Sequence, residues 1–163
     1  MSDRTTGKAP GSPPRSGPGQ ESAIPKPAPE PLDEAECLRL ISPGGIGRLA
    51  YSGRFGLTVL PVNYRMHEGS IVFRTEEGSS TDEDLRTGLP GAEYQVAFEV
   101  DEVDSTAREG WSVLIQGAAH HVNSADEQAS VLEAGVESWA GGSREHFLRV
   151  IPTRVTGRRL RQG

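Results

Sequence analysis

Arg74 and Thr75 close a short apolar run, and Gly78-Ser79-Ser80 follows within a few residues. A phosphate is held by a guanidinium fork, hydroxyl donors and backbone N–H groups, best of all where a helix begins. The stretch IVFRTEEGSSTDEDL (71–85) offers each of these: Arg74, the Thr75 hydroxyl, close backbone approach at Gly78, and Ser79 or Ser80 to cap a short helix over 79–89. It also carries five carboxylates, Glu76, Glu77, Asp82, Glu83 and Asp84. Those at 82–84 fall in the first helical turn, where they suit the helix dipole without having to face a ligand. The plain alternative is a strand-end arginine paired with Glu76 or Glu77, ahead of an ordinary capped helix. Spacing alone leaves both open.

Two further stretches carry polar or aromatic groups on strands. In Pro61-Val62-Asn63-Tyr64, the proline marks an edge or a bulge, and Asn63 has both a donor and an acceptor for a heterocycle's edge. In Gly110-Trp111-Ser112-Val113, Trp111 shares a face with Val113 and Ile115. It suits a stacking contact, a subunit contact or a plain core position. His120 and His121 are adjacent, so in a strand they point to opposite faces and cannot ligate one metal together. The spacing of Cys and His suggests no zinc, and G-x-S-x-G, G-x-G-x-x-G and Walker loops are missing. Neither a catalytic dyad nor a metal site is expected.

The elements that must position these residues follow from periodicity. LDEAECLRLIS (32–42) is a helix capped by Asp33 with Glu36 three residues on, and it stops at Pro43-Gly44-Gly45. Strands are expected over 46–52, 57–66, 70–75, 94–104 and 111–123, with a hairpin turn at His67-Glu68-Gly69. A second capped helix spans 124–135, and one or two strands over 146–160 end the chain. Tight turns between neighbouring strands imply antiparallel pairing, and six or seven such strands favour a small barrel. The fold class is α+β, mostly β, with short flanking helices.

Residues 1–31 hold eight of the twelve prolines and no apolar side chain larger than Ala apart from Met1 and Ile24. Such a stretch cannot offset its chain entropy by burial, so 1–31 reads as a disordered tail and 32–163 as one domain. The tail lacks the apolar core of a secretory leader, and no window is long and apolar enough for a membrane span. A net charge of −6 argues against general nucleic-acid affinity, and the single Cys37 fits a reducing cytoplasm.

Taken in order, GRLA, LPVNY, IVFRT, FEVDEVD and GWSVLIQG, closed by HFLRVIPTRVTGRRL, resemble the pyridoxamine 5'-phosphate oxidase-like, flavin-binding split-barrel family, its small actinobacterial branch most of all. The resemblance covers nearly all of 32–160. It implies a six- to seven-stranded split barrel and a homodimer with FMN at the subunit interface. It implies a flavin-dependent oxidoreductase that acts on a small molecule by hydride transfer at flavin N5. By the same resemblance Arg74 and Thr75 match the phosphate-binding residues, with Ser79 in the following loop. Pro61, Val62 and Asn63 match the segment beside the isoalloxazine, and Trp111, Ser112 and Val113 match a strand reaching the flavin from the partner subunit. Ser80 stands where relatives often carry lysine, a loss worth about 10–100-fold in phosphate affinity. Two alternatives stand beside this reading: an F420-dependent reductase on the same barrel, and a non-enzymatic module that binds or sequesters flavin. The acidic stretch 76–109 speaks against the polyglutamate tail of F420.

Overall fold

The computed structural model describes residues 28–86, 93–135 and 146–161. Their elements run β1 (Glu30–Leu32), α1 (Glu34–Ile41), β2 (Gly45–Gly53), β3 (Gly56–His67), β4 (Ser70–Thr75), α2 (Ser80–Asp84), β5 (Tyr94–Asp104), β6 (Glu109–His121), α3 (Ala125–Glu133) and β7 (His146–Leu160). Capping set two of these helices where the sequence places them. The Asp33 carboxylate accepts the Glu36 N–H at 2.8 Å, and Ser124 accepts the Glu127 N–H at 3.2 Å. The β3–β4 turn puts Glu68 at φ 48° and Gly69 at φ 73°, the conformation that a two-residue hairpin requires.

The strands form one antiparallel sheet in the order β1-β7-β4-β3-β2-β5-β6, and a further β7–β6 pairing closes it into a barrel. This is the expected split barrel, mostly β with three short helices among the described residues. The closing strand, β7, is 15 residues long. Its first part pairs with β4, from His146↔Thr75 to Val150↔Ile71, while β6 runs beside it as far as Leu160. A bulge between Gln116 and Gly117 re-registers β6 against β7. The far half of β7 also takes β1, so Glu30 and Pro31 are paired with Arg159 and Arg158. The sequence places both residues in the tail. Three residues are too short to show a strand period, and only the exposed flank of β7 reveals them. Residues 1–27 of the expected tail, and the Gly88 expected to stop α2, lie outside the described residues.

The split lies between β3 and β4. Their ladder runs from His67↔Ser70 to Tyr64↔Phe73 and stops there. Beyond it, β3 continues against β2 alone and β4 against β7 alone. Pro61 falls on this one-sided part of β3, where its missing N–H costs no ladder bond. The expected edge is present, and the β2–β3 register passes Pro61 without a bulge.

The core fills the barrel with Leu49, Ile71, Phe73, Phe98, Ile115 and Leu148, and α1 adds Cys37 and Ile41. Phe98 meets Tyr64 edge-on at 5.3 Å between centroids. A smaller cluster on the outer face joins Val72, Val122, Phe147 and the α3 residue Val131. Residues 70–73 are therefore buried on both faces, which explains their unbroken run without polar alternation. No helix among the described residues is long and apolar enough to cross a membrane.

Gly47 lies against Phe98, and a Cβ built there would run into the Phe98 ring. Gly47→Ala should therefore destabilise the fold by about 1–3 kcal/mol, the usual cost of overpacking a filled core. A melting temperature equal to that of the parent protein would show that the ring has room to move.

Candidate functional site

The mouth of the split gathers five of the residues singled out by sequence. Continuing the β3–β4 register one step past Tyr64↔Phe73 brings Asn63 and Arg74 to either side of the opening. Another step brings Val62 and Thr75, and Pro61 follows on the β3 rim. Alternation divides them between two faces. Val62 packs towards the core, whereas Arg74 is on the outer face, its guanidinium carbon 5.9 Å from the Phe147 ring centroid. Thr75 shares the inner face with Phe73. The strand thus sends Arg74 and Thr75 in opposite directions.

Thr75 and Ser79 do come together, their hydroxyl oxygens 3.0 Å apart. Ser79 caps α2 and accepts the Asp82 N–H at 3.2 Å, and Gly78, at φ 74°, makes the turn that allows it. Ser80 is the first residue of α2 and is exposed. The five-residue helix is held from several sides. Thr81 shares a hydrogen bond of 3.2 Å with the buried Tyr51. Asp84 and Glu83 accept from Arg54 at 2.6 and 2.8 Å, which ties α2 to the β2–β3 hairpin.

Asp82 departs from its sequence reading. It is not a solvated first-turn carboxylate: its side chain is 2% exposed and points inward. Its oxygens accept the Gly78 N–H at 3.0 Å, His121 Nε2 at 2.7 Å and Arg86 Nη2 at 2.9 Å. His146 Nδ1 is 3.9 Å away, and its Nε2 lies 3.8 Å from Glu77. Burial works to raise the Asp82 pKa, but the Gly78 N–H, His121 and Arg86 outweigh it and hold the carboxyl below its usual range. Gly78, which the sequence offers as a phosphate donor, gives its N–H to this internal anion instead. The His121–Asp82 pair was illegible in sequence, because 39 residues separate its members. What could be read was that His120 and His121 face opposite ways.

Trp111, Ser112 and Val113 lie elsewhere. With Glu99, Asp101 and Arg158 they line a groove of about 820 Å³ across β5, β6 and β7. Arg48 bridges Glu99 and Asp101 at 3.1 Å each. Burial, then the Asp101 charge, push Glu99 up from the usual carboxylate range. The distance from this groove to the Thr75–Ser79 pair can be read along β7. Thr75 and Arg74 face His146 and Phe147, whereas Trp111 and Val113 face Arg159 and Gly157. At least ten residues of strand lie between (157 − 147 = 10), roughly 33 Å of path at the usual rise.

The sequence profile of the pyridoxamine 5'-phosphate oxidase family matches residues 33–159. The chain belongs to that family. An uncharacterized protein of Mycobacterium tuberculosis is 30% identical over 145 residues, 88% of this chain and 94% of that protein. Among solved structures, the FAD binding protein from Mycobacterium smegmatis is 29% identical, with a TM-score of 0.67 over 80% of this chain and 99% of that one. A FAD-binding protein from Mesorhizobium loti shares the fold at 23% identity and a TM-score of 0.64, over 80% of this chain and 97% of that one.

The sign of the Asp82 shift sets a pH test. A carboxyl depressed in the folded state stabilises the fold above the unfolded pKa, about 3.9, and that contribution drains as pH falls through the lower folded value. The melting-temperature gap between the parent and Asp82→Asn should be constant above about pH 5 and narrow below about pH 4. A gap that does not change with pH would mean that the charge of Asp82 contributes nothing.

Proposed function

We propose that this protein binds a flavin nucleotide in a site shared between two copies of the chain and serves as a flavin-dependent oxidoreductase for a small molecule. The Thr75–Ser79 hydroxyl pair at the mouth of the split carries this reading, in a chain of the pyridoxamine 5'-phosphate oxidase family. The donor set suits a phosphoryl group: two hydroxyls 3.0 Å apart, half-buried, at a turn tied down by α2. Arg74 leaves the opposite face of β4 and can add charge only from outside the pair, and Ser80 adds an exposed hydroxyl where a lysine would add an ammonium. Pro61, Val62 and Asn63 form the opposite rim, with Asn63 able to meet a heterocycle's polar edge. Trp111, Ser112 and Val113 reach the ring from the partner subunit. The long run of β7 between the two groups supports this division.

A bound flavin supplies hydride and electron transfer at its isoalloxazine, so no catalytic dyad is needed. The chain's own tasks are then to hold the phosphate, cover one ring face and keep water away from it. FMN is favoured over F420 because the stretch 76–109 is dominated by carboxylates, which suits a polyglutamate tail poorly. The Mycobacterium smegmatis relative, described as binding FAD, favours FAD as a second reading, since FAD carries the same riboflavin phosphate.

Protein purified without added cofactor should take up FMN with a flavin absorption band, and chromatography of heat-released ligand separates FMN, FAD and F420. Colourless protein that none of the three can titrate would end the oxidoreductase reading. Thr75→Val combined with Ser79→Ala should weaken FMN by about 10–100-fold, the value of lost hydrogen bonds to a charged group. Ser80→Lys should tighten it, and an unchanged Kd in both variants would displace the phosphate from this loop.

A further inference from the structure

Asp82 is a buried carboxylate placed directly behind the hydroxyl pair, and the proposed flavin chemistry does not use it. Its backbone and side chain grip the same turn from both ends. The Asp82 N–H donates to Ser79 Oγ, while its carboxylate accepts the N–H of Gly78, the residue before the cap. Four segments meet on this carboxylate: the β4–α2 turn through Gly78, β6 through His121, β7 through His146 at 3.9 Å, and Arg86 just beyond α2. Glu77 lies one step out, on the far ring nitrogen of His146. Through these contacts the turn carrying Ser79 is tied to the barrel wall.

From this convergence we infer that Asp82 is a positioning residue for the phosphate grip, setting Ser79 against Thr75 without touching the ligand. The inference rests on the flavin reading above. Electrostatics alone points the other way, because a carboxylate near an anion site should repel a phosphate, and neutralising it should tighten binding. The local charges decide between the two. Arg86 lies 2.9 Å from one Asp82 oxygen and 3.1 Å from the other and matches its charge, so the net field reaching a phosphate is small. What Asp82→Asn removes is geometry. An amide has one acceptor oxygen where the carboxylate has two, and it presents N–H groups to Arg86 or Gly78, which are themselves donors. Either orientation of the amide gives up at least one bond that the carboxylate makes, the 3.1 Å Arg86 bond in one and the Gly78 and 2.9 Å Arg86 bonds in the other.

The test compares FMN with riboflavin, which lacks the phosphate, by fluorescence titration of the full-length protein and its Asp82→Asn variant. The variant should bind FMN about tenfold or more weakly than the parent and riboflavin equally well. Equal weakening of both ligands would make Asp82 a general structural residue, and tighter FMN would make it a simple repulsive charge. No change in either would also overturn the inference. If Asp82→Asn does not fold, His121→Gln removes only the β6 partner and should shift FMN alone in the same direction. If the parent binds neither ligand, the flavin reading fails and takes this inference with it. If the parent binds FMN and the ratio stays fixed, this inference alone fails.

Discussion

The parting of β3 from β4 after Tyr64↔Phe73 is the constraint on which the rest of the structure depends. β7 holds the other edge of β4 from Ile71 to Thr75 and runs on beside β6, so beyond Phe73 the β4 backbone groups on the β3 side face the opening. The opening left between Asn63 and Arg74 is thus closed by hydrogen bonds on its outer sides and open only at its mouth. The length of β7 also carries the Trp111 groove far from that mouth. One event in strand pairing therefore makes the cleft, the half-site of the proposed function.

The acidic stretch that seemed hostile to an anion is resolved by where each carboxylate goes. Glu83 and Asp84 hold Arg54 of the β2–β3 hairpin. Asp82 turns inward to Gly78, His121 and Arg86. Glu76 and Glu77 are exposed on the turn itself. Asp82, Glu83 and Asp84 are thereby matched by arginines and Glu77 lies 3.8 Å from His146, so the hydroxyl pair faces a weaker negative field than the sequence suggests. The same arrangement engages the Gly78 N–H within the fold, so the proposed grip would rely on hydroxyls more than on backbone amides.

Much of this was legible in the residues. Alternation and turn chemistry located β2 to β6, and Asp33, Ser79 and Ser124 announced the three helices. The ordered motifs pointed to the family before any coordinates did. The rest was hidden for physical reasons. β1 is too short to show a period and exists through pairing with β7. The inward turn of Asp82 depends on His121, 39 residues away, and no local pattern encodes that meeting. The pair Arg74-Thr75 reads as one donor unit in sequence, yet strand alternation separates the two side chains.

The central claim is that one site draws its phosphate grip from one chain and its tryptophan strand from another. Mixing two variants tests it most directly, one carrying Thr75→Val with Ser79→Ala and the other Trp111→Ala, each too weak to hold FMN alone. After unfolding and joint refolding, the mixed dimer has one site with both lesions and one with neither. The account predicts that FMN binding at parental affinity returns in the mixture, at one site per mixed dimer. Binding that stays as weak as in the separate variants, while dimers form, would place both groups within a single chain's site and contradict it.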